Sequence, residues 1–286
     1  MDGNPRARPF YDDTVEGLRL DHPEGIAVAT DGSVWCGGED GQVYRIDPDG
    51  GHAEIVARTG GFVLGLAFDY AGNLYLCDQD LRALLRLPAG GDGSQLEVVA
   101  RGSEEHPLRI PNACVCDEQG RIYVSDSFGA GQRGPGVFRF DPDGRGELWY
   151  DQPMYFANGI ALANDGRTLY VAESFLPGVT AIPIVEDRPG PPEVLAELVG
   201  TVPDGLLVGP DDAIYVGCYE PSSVLRIAPD GEVTTVVSDP TAHVLCHPTN
   251  LARRGDQLFT ANLGRWHVTV VEPAPWSVHT LEKDPA

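Results

Sequence analysis

One unit recurs six times along this chain, and that recurrence limits the fold more than any other feature. Its clearest copy is HPEGIAVATDGSVWCGGEDGQVYRIDPDG, from His22 to Gly50. Glu24 precedes a short apolar run from Ile26 to Val28; an Asp31-Gly32 turn, a second apolar run ending near Cys36, a Gly-rich loop and a third run from Val43 to Ile46 follow. Apolar runs of strand length separated by turn dipeptides that accept positive φ read as an antiparallel meander. Aligned on the leading residue, the copies begin at Glu24, Leu64, Asn112, Asn158, Asp204 and Asn250, spaced by 40, 48, 46, 46 and 46 residues. Third runs carry an Arg between apolar residues, as in YRIDPDG at Tyr44, LRLPAG at Leu85, FRFDPDG at Phe138 and LRIAPDG at Leu225, and a fourth run closes each unit. Four strands per repeat of roughly 40–50 residues is the spacing of a propeller blade. The sequence therefore predicts an all-β fold, a six-bladed β-propeller with four antiparallel strands per blade, forming a single domain over residues 1–286.

Closure of such a ring is the next constraint, because an open propeller would leave sheet edges bare. The last unit, from Asn250, offers runs at Trp266 to Val271 and Ser277 to Leu281. The N-terminal segment, residues 5–20 with a candidate strand at Thr14 to Leu20, is expected to complete that blade as its outermost strand, and the tail beyond Glu282 is expected to fray.

Composition narrows the function. The net charge is −23 and Lys283 is the sole lysine, a surface that repels phosphate backbones and attracts cations. Nucleic acid and membrane are therefore not expected partners; a small-molecule substrate is, on a monomer or weak homo-oligomer. MDGNPRARPF lacks the apolar stretch of a secretory signal and no segment approaches the ~20 apolar residues of a membrane span, so a cytoplasmic location is expected. The six Cys (Cys36, Cys77, Cys114, Cys116, Cys218, Cys246) lie mostly within apolar runs and read as small buried hydrophobes rather than a disulfide frame.

The chemistry lies in the leading residues. Each starts the innermost strand of its blade, and the second strand ends about fourteen residues later at the same end of the channel. Five of the six leading residues, all but Leu64, are oxygen donors. Carboxylates and amide oxygens in a ring are the ligand set of a hard divalent cation. Glu24 and Asp204 would neutralise its charge, while Asn112, Asn158 and Asn250 would add neutral oxygens. No Cys or His leads a repeat, which argues against structural zinc. One divalent cation is expected, Ca2+ first, then Mg2+, Mn2+ or an oxygen-ligated Zn2+.

The PEG, PN, NG and PDG motifs at near-equal spacing resemble those of the regucalcin–gluconolactonase (senescence marker protein) family of six-bladed propellers, over nearly the whole repeat region. That resemblance implies one divalent metal held by Glu24, Asn158 and Asp204, with Asn112 beside it contacting substrate or water, and a lactone-opening activity. In sugar-lactone members the Asn matching Asn112 is followed by Asp and preceded by Arg at two residues' distance; here those places are Ala113 and Ile110, and Arg109 falls one position off. The architecture is also similar to that of paraoxonase-type lactonases and strictosidine synthase-like enzymes, so fold alone does not fix the reaction.

A cation with open positions polarises an ester carbonyl and acidifies water, and lactone hydrolysis then needs a base. Asp204 is the first candidate for that catalytic role; Asp126, Glu173 and Asp78, which end second strands on the same face, are alternative bases or substrate contacts, or solvated rim residues. Asn112, Asn250, Asp126 and Glu173 are the expected substrate-binding set. His22, His106 and His247, each before a Pro near a leading residue, and His267 are further candidate bases. Trp35, Phe62, Phe128, Tyr155, Phe156, Phe175, Tyr219 and Trp266 fall near loops at the mouth, either lining it for a substrate with apolar parts or packing blade against blade. The expected function is a metal-dependent lactonase; the alternatives are a propeller enzyme of another class, a lyase or condensing enzyme of secondary metabolism, or a non-catalytic metal-binding propeller.

Overall fold

Each blade starts from its turn chemistry. In the first, Asp31 accepts the N–H of Ser33 at 2.9 Å and Gly32 takes φ 85°, a left-handed conformation that costs glycine little. Ile26–Val28 and Val34–Gly37 therefore fold back on one another, with Ile26 opposite Cys36. Gln42–Ile46 and Ala53–Arg58 complete the sheet in sequence order. A computed structural model describes residues 5–12 and 17–279, and within it this meander repeats around a ring as six sheets.

The innermost strands are Ile26–Val28, Val63–Phe68, Pro111–Cys116, Ala157–Leu162, Val202–Val208 and Pro248–Arg254. They approach one another closely because small residues follow most of the leading positions. A Cβ on Gly159 would stand 2.3 Å from the carbonyl oxygen of Asp204, and one on Gly205 would stand 2.5 Å from the Cα of Asn250. Backbone thus packs on backbone around the axis. Between blades the sheets bury their faces in separate apolar clusters. One joins Leu20, Ile26, Cys36 and Tyr44 to Phe259 and Val268 across the junction of the sixth and first blades. All six cysteines are free thiols, five of them buried. The Arg of the third strand ties neighbouring carboxylates, as in Arg45 to Asp47 at 2.8 Å and Arg226 to Asp211 at 2.9 Å, contacts worth at most about 1 kcal/mol each at a wet surface.

Closure uses the N-terminal end, as expected, but through a different segment. Arg6–Tyr11 pairs antiparallel with Val268–Glu272 and becomes the outer strand of the last blade, with Arg8 bound to Glu272 at 2.6 Å. Of the expected strand Thr14–Leu20, residues 14–16 lie outside the described residues, and residues 17–20 form no strand. Leu20 instead buries its side chain completely between blades. The expected strand Ser277–Leu281 is also replaced: Pro275–His279 forms a short helix, residues 280 and 281 and the tail beyond Glu282 lying outside the described residues. Proline at the first helical position lacks the N–H a ladder needs and is preset for the helix. Trp276 packs edge-on against Tyr215 at 5.3 Å and donates its indole N–H to the Gly255 carbonyl. No helix among the described residues is long and apolar enough to cross a membrane.

The close approach at the axis gives a direct test. Gly205→Ala is expected to lower stability by about 1–3 kcal/mol, the usual cost of overpacking against atoms that cannot yield. Equilibrium urea denaturation reads this, and a change under about 0.5 kcal/mol would mean that the inner strands are free to part.

Candidate metal centre

Five of the six inner strands break register at their leading residue. The pairing skips between Val63 and Gly65, Pro111 and Cys114, Ala157 and Ile160, Pro203 and Leu206, and Pro248 and Leu251. Each leading residue therefore sits in a bulge, which releases it from the ladder and re-aims its side chain. Glu24, Asn112, Asn158 and Asp204 are all buried, at 5, 2, 3 and 6% exposure.

The two asparagines are held by their nitrogen ends. Asn112 donates its amide N–H to Ser127 Oγ at 3.0 Å, and that hydroxyl donates to the Ala157 carbonyl of the next blade at 2.7 Å. Asn158 repeats the arrangement one blade on, donating to Ser174 Oγ at 3.1 Å, which donates to the Pro203 carbonyl at 2.7 Å. Their oxygens are left over. Asn112 Oδ1, Asn158 Oδ1 and Asp204 Oδ1 are buried with no protein partner. A buried acceptor without a donor costs about 1–3 kcal/mol. Asp78 Oδ2, Tyr123 Oη and Asp211 Oδ1 are also unpartnered, but the three oxygens at leading positions come from consecutive blades and lie with a second buried acid, an arrangement that a cation would answer.

Electrostatics points the same way. Burial pushes Glu24 well above the ordinary carboxylate range, and the charges of Asp204 and Glu39 push it further. Burial pushes Asp204 up to about 7, opposed by its contact with Asn158. Two carboxylates drawn together from the first and fifth blades, with both neighbouring charges acting on Glu24 acidic, form a site that disfavours its own ionisation. Four oxygen donors of this kind fit a hard divalent cation, and they are Glu24, Asn112, Asn158 and Asp204.

The remaining sequence candidates occupy other places. Asn250 turns its amide nitrogen to the backbone carbonyls of Glu24 at 3.3 Å and Leu64 at 3.5 Å, tying the last blade to the first two. Asp126 is not a solvated rim residue: its carboxylate accepts the N–H groups of Arg109, Ile110 and Phe128 at 2.7–3.0 Å. Glu173 accepts from Tyr155 N–H at 2.7 Å and Thr180 Oγ1 at 3.2 Å, and the fully buried Asp78 accepts from Phe62 and Leu81. These three acids pin the loops that lead into the channel. His267 Nε2 meets the Val244 carbonyl at 2.9 Å, and His106 is exposed. His247 stacks on Tyr219 at 4.3 Å with Nδ1 against the Tyr219 carbonyl. Trp35 meets Phe68 edge-on within the blade packing. Phe156 and Phe175 pair at 4.8 Å, while Tyr219 feels the charges of both Glu24 and Asp204. Part of the aromatic set therefore borders the acidic pair.

Sequence reasoning missed Ser127 and Ser174. Their signal is the Ser that follows the acid closing each second strand, SDS at Ser125 and AES at Ala172. It singled out His22 but missed its grouping at the rim with Asp21 and Glu39, the three ligand atoms lying within 4.8 Å of one another.

A six-bladed ring with buried, unpartnered oxygens at one mouth defines a class of propeller built around an axial site. The chain belongs to the SMP-30/gluconolactonase/LRE-like family, whose model matches residues 53–260; a strictosidine synthase-like N-terminal model matches residues 15–46. It is 28% identical over 172 residues to protein strictosidine synthase-like 6 of Arabidopsis thaliana, covering 54% of this chain and 46% of that protein. The chain thus spans about half the length of that plant relative. It is 24% identical over 288 residues to lactonase drp35 of Staphylococcus saprophyticus, covering 92% of this chain and 86% of that one. Among solved structures, the calcium-binding protein regucalcin of Agrobacterium tumefaciens superposes with a TM-score of 0.71 at 15% identity, covering 90% of this chain and 91% of that one.

The raised acids give the metal-free protein a pH dependence of definite sign. Unfolded Asp and Glu titrate near 4, so between about pH 4 and 7 the folded state holds more protons, and stability falls as pH rises through that window. Acids held low, such as Asp31 and Glu272, act in the opposite sense at lower pH, so the difference between variants is the useful quantity. In EDTA, Asp204→Asn is expected to melt above the parent at pH 7.5 and to converge with it at pH 4.5. Parallel melting curves for the two proteins across that range, by calorimetry, would show that the pair is not strained by charge.

Proposed function

We propose that this protein is a divalent-metal-dependent hydrolase that opens a lactone or related ester at the channel mouth. The observation that carries the reading is the set of three buried, partnerless oxygens on Asn112, Asn158 and Asp204 beside a second buried acid, Glu24. An all-oxygen set with two acids suits Ca2+ first, with Mg2+, Mn2+ or Zn2+ behind it. The family and the lactonase relative over most of the chain support lactone chemistry, and the regucalcin likeness supports a cation-holding channel.

When bound, the cation supplies Lewis-acid polarisation of the carbonyl and a more acidic water. The chain supplies the rest. Ser127 and Ser174 hold the two amide groups so that their oxygens, not their nitrogens, are presented. Asp204 offers one carboxylate oxygen to the ring and the other as acceptor for the water's proton, a role typically worth 10²–10⁴ in rate. The side chains of Phe156, Phe175 and Tyr219 keep one side of the mouth apolar, which favours a substrate with aliphatic or aromatic parts over a bare sugar acid; Ala113 and Ile110 agree with that choice.

A second reading, a lyase or condensing enzyme on the same scaffold, is favoured by the strictosidine synthase-like matches. A panel of aliphatic, aromatic and sugar lactones, with and without EDTA, separates the two. Hydrolysis is expected to disappear with chelator and return with Ca2+, and Asp204→Ala is expected to lose both the metal and at least 10³-fold in kcat/KM. Full metal occupancy in Asp204→Ala would move the cation elsewhere, and metal uptake with no lactone turned over would favour the second reading.

A further inference from the structure

We propose that the pocket between the second and third blades, beside the channel mouth, is an anion subsite that takes the carboxylate of an amphipathic small molecule. The pocket is open, about 600 Å³, and lined by Leu81, Arg82, Arg101, Pro107, Leu108, Arg109, Ile110 and Phe128. Three arginines thus converge there in a chain with 20 basic residues against 43 acidic ones.

Several arginines elsewhere in this protein are neutralised. Arg45, Arg86, Arg121, Arg139 and Arg226 each sit in ion pairs with Asp or Glu. Arg82, Arg101 and Arg109 have no such carboxylate within 4.0 Å among the described residues. Arg101 donates to the Leu81 carbonyl, and the Arg109 guanidinium lies over the Phe128 ring at 4.3 Å, a stacking that orients it without removing its charge. The two buried acids nearby make no ion pair with these arginines: Asp126 accepts backbone N–H groups through both oxygens and Asp78 through Oδ1, although the charge of Arg109 still acts on Asp126. Asp80 is exposed in the adjoining turn, while Glu104 and Glu105 line a separate hollow with His106 and Asp151.

Apolar walls beneath a cationic edge match an anionic head on an apolar body. Guanidinium forks suit a planar carboxylate, and Leu81, Leu108, Ile110 and Phe128 suit an aliphatic or aromatic stem. The pocket adjoins the candidate site through its own chain: Ile110 stands two residues before Asn112. On the lactonase reading, on which this last step rests, a lactone bearing a carboxylate would place its ring at the buried oxygens and its charge among the arginines.

Calorimetric titration of the full chain with octanoate tests the pocket without turnover, with 1-octanol and inorganic phosphate as controls for stem and charge alone. Octanoate is expected to bind more tightly than either control, and Arg82→Gln/Arg109→Gln is expected to weaken it at least tenfold while melting at the parent temperature. Equal octanoate affinity in parent and double variant, no octanoate binding to the parent, or octanol binding as tightly as octanoate would each overturn the subsite. A pair of lactones differing only in a pendant carboxylate tests the second step: the kcat/KM preference for the charged one is expected to fall at least tenfold in the double variant. Octanoate binding that behaves as expected while neither lactone is hydrolysed would sink the lactonase reading and leave the subsite standing.

Discussion

Two carboxylates from opposite parts of the chain, Glu24 and Asp204, are buried near one another, and the structure around them is arranged so that they stay there. Burial disfavours the charge of both, and the neighbouring charge of Asp204 disfavours that of Glu24 further. Such a pair is retained at a cost to the metal-free fold unless something cationic answers it. The asparagines contribute to the same demand, since Ser127 and Ser174 satisfy their nitrogens and leave their oxygens bare. A ring that satisfied these groups internally would be more stable.

The bulges are what make this possible within a regular repeat. A strand residue in a continuous ladder points to one sheet face or the other, and both faces here are blade-packing surfaces. Register skips at Asn112, Asn158 and Asp204 take the leading side chain out of that alternation. The small residues that follow, above all Gly159 and Gly205, then let the neighbouring backbones come within contact. One local irregularity, repeated, thus builds the ring and aims its polar groups.

How much of this could be read in advance depended on whether the signal was periodic. The blades were legible because Asp-Gly turns and apolar runs return every 46 residues or so, and the polar leading positions stood out because Glu24, Asn158 and Asp204 share one frame, where all three are buried. The closing strand was not: Val15, Leu18 and Leu20 imitate a strand, whereas RARPFY looks charged because it is an outer edge strand whose exposed positions carry arginine. Nor could the letters say which way a carboxylate faces. Asp126 and Glu173 share the channel end of their blades with the site, yet their oxygens are taken by loop N–H groups, a fact set by backbone paths that composition does not record. Ser127 and Ser174 were overlooked because a serine after an acid carries no pattern until its asparagine partner, 15 or 16 residues earlier, is placed beside it.

The outer edge of the last blade is made from Arg6–Tyr11, with Arg8 and Glu272 in contact across 264 positions of sequence. Arg6–Tyr11 therefore has no sheet to join until the sixth blade has been synthesised. The sixth blade is thus complete only when segments from both ends of the ring have met, so a chain cut between them would present an unfinished sheet edge.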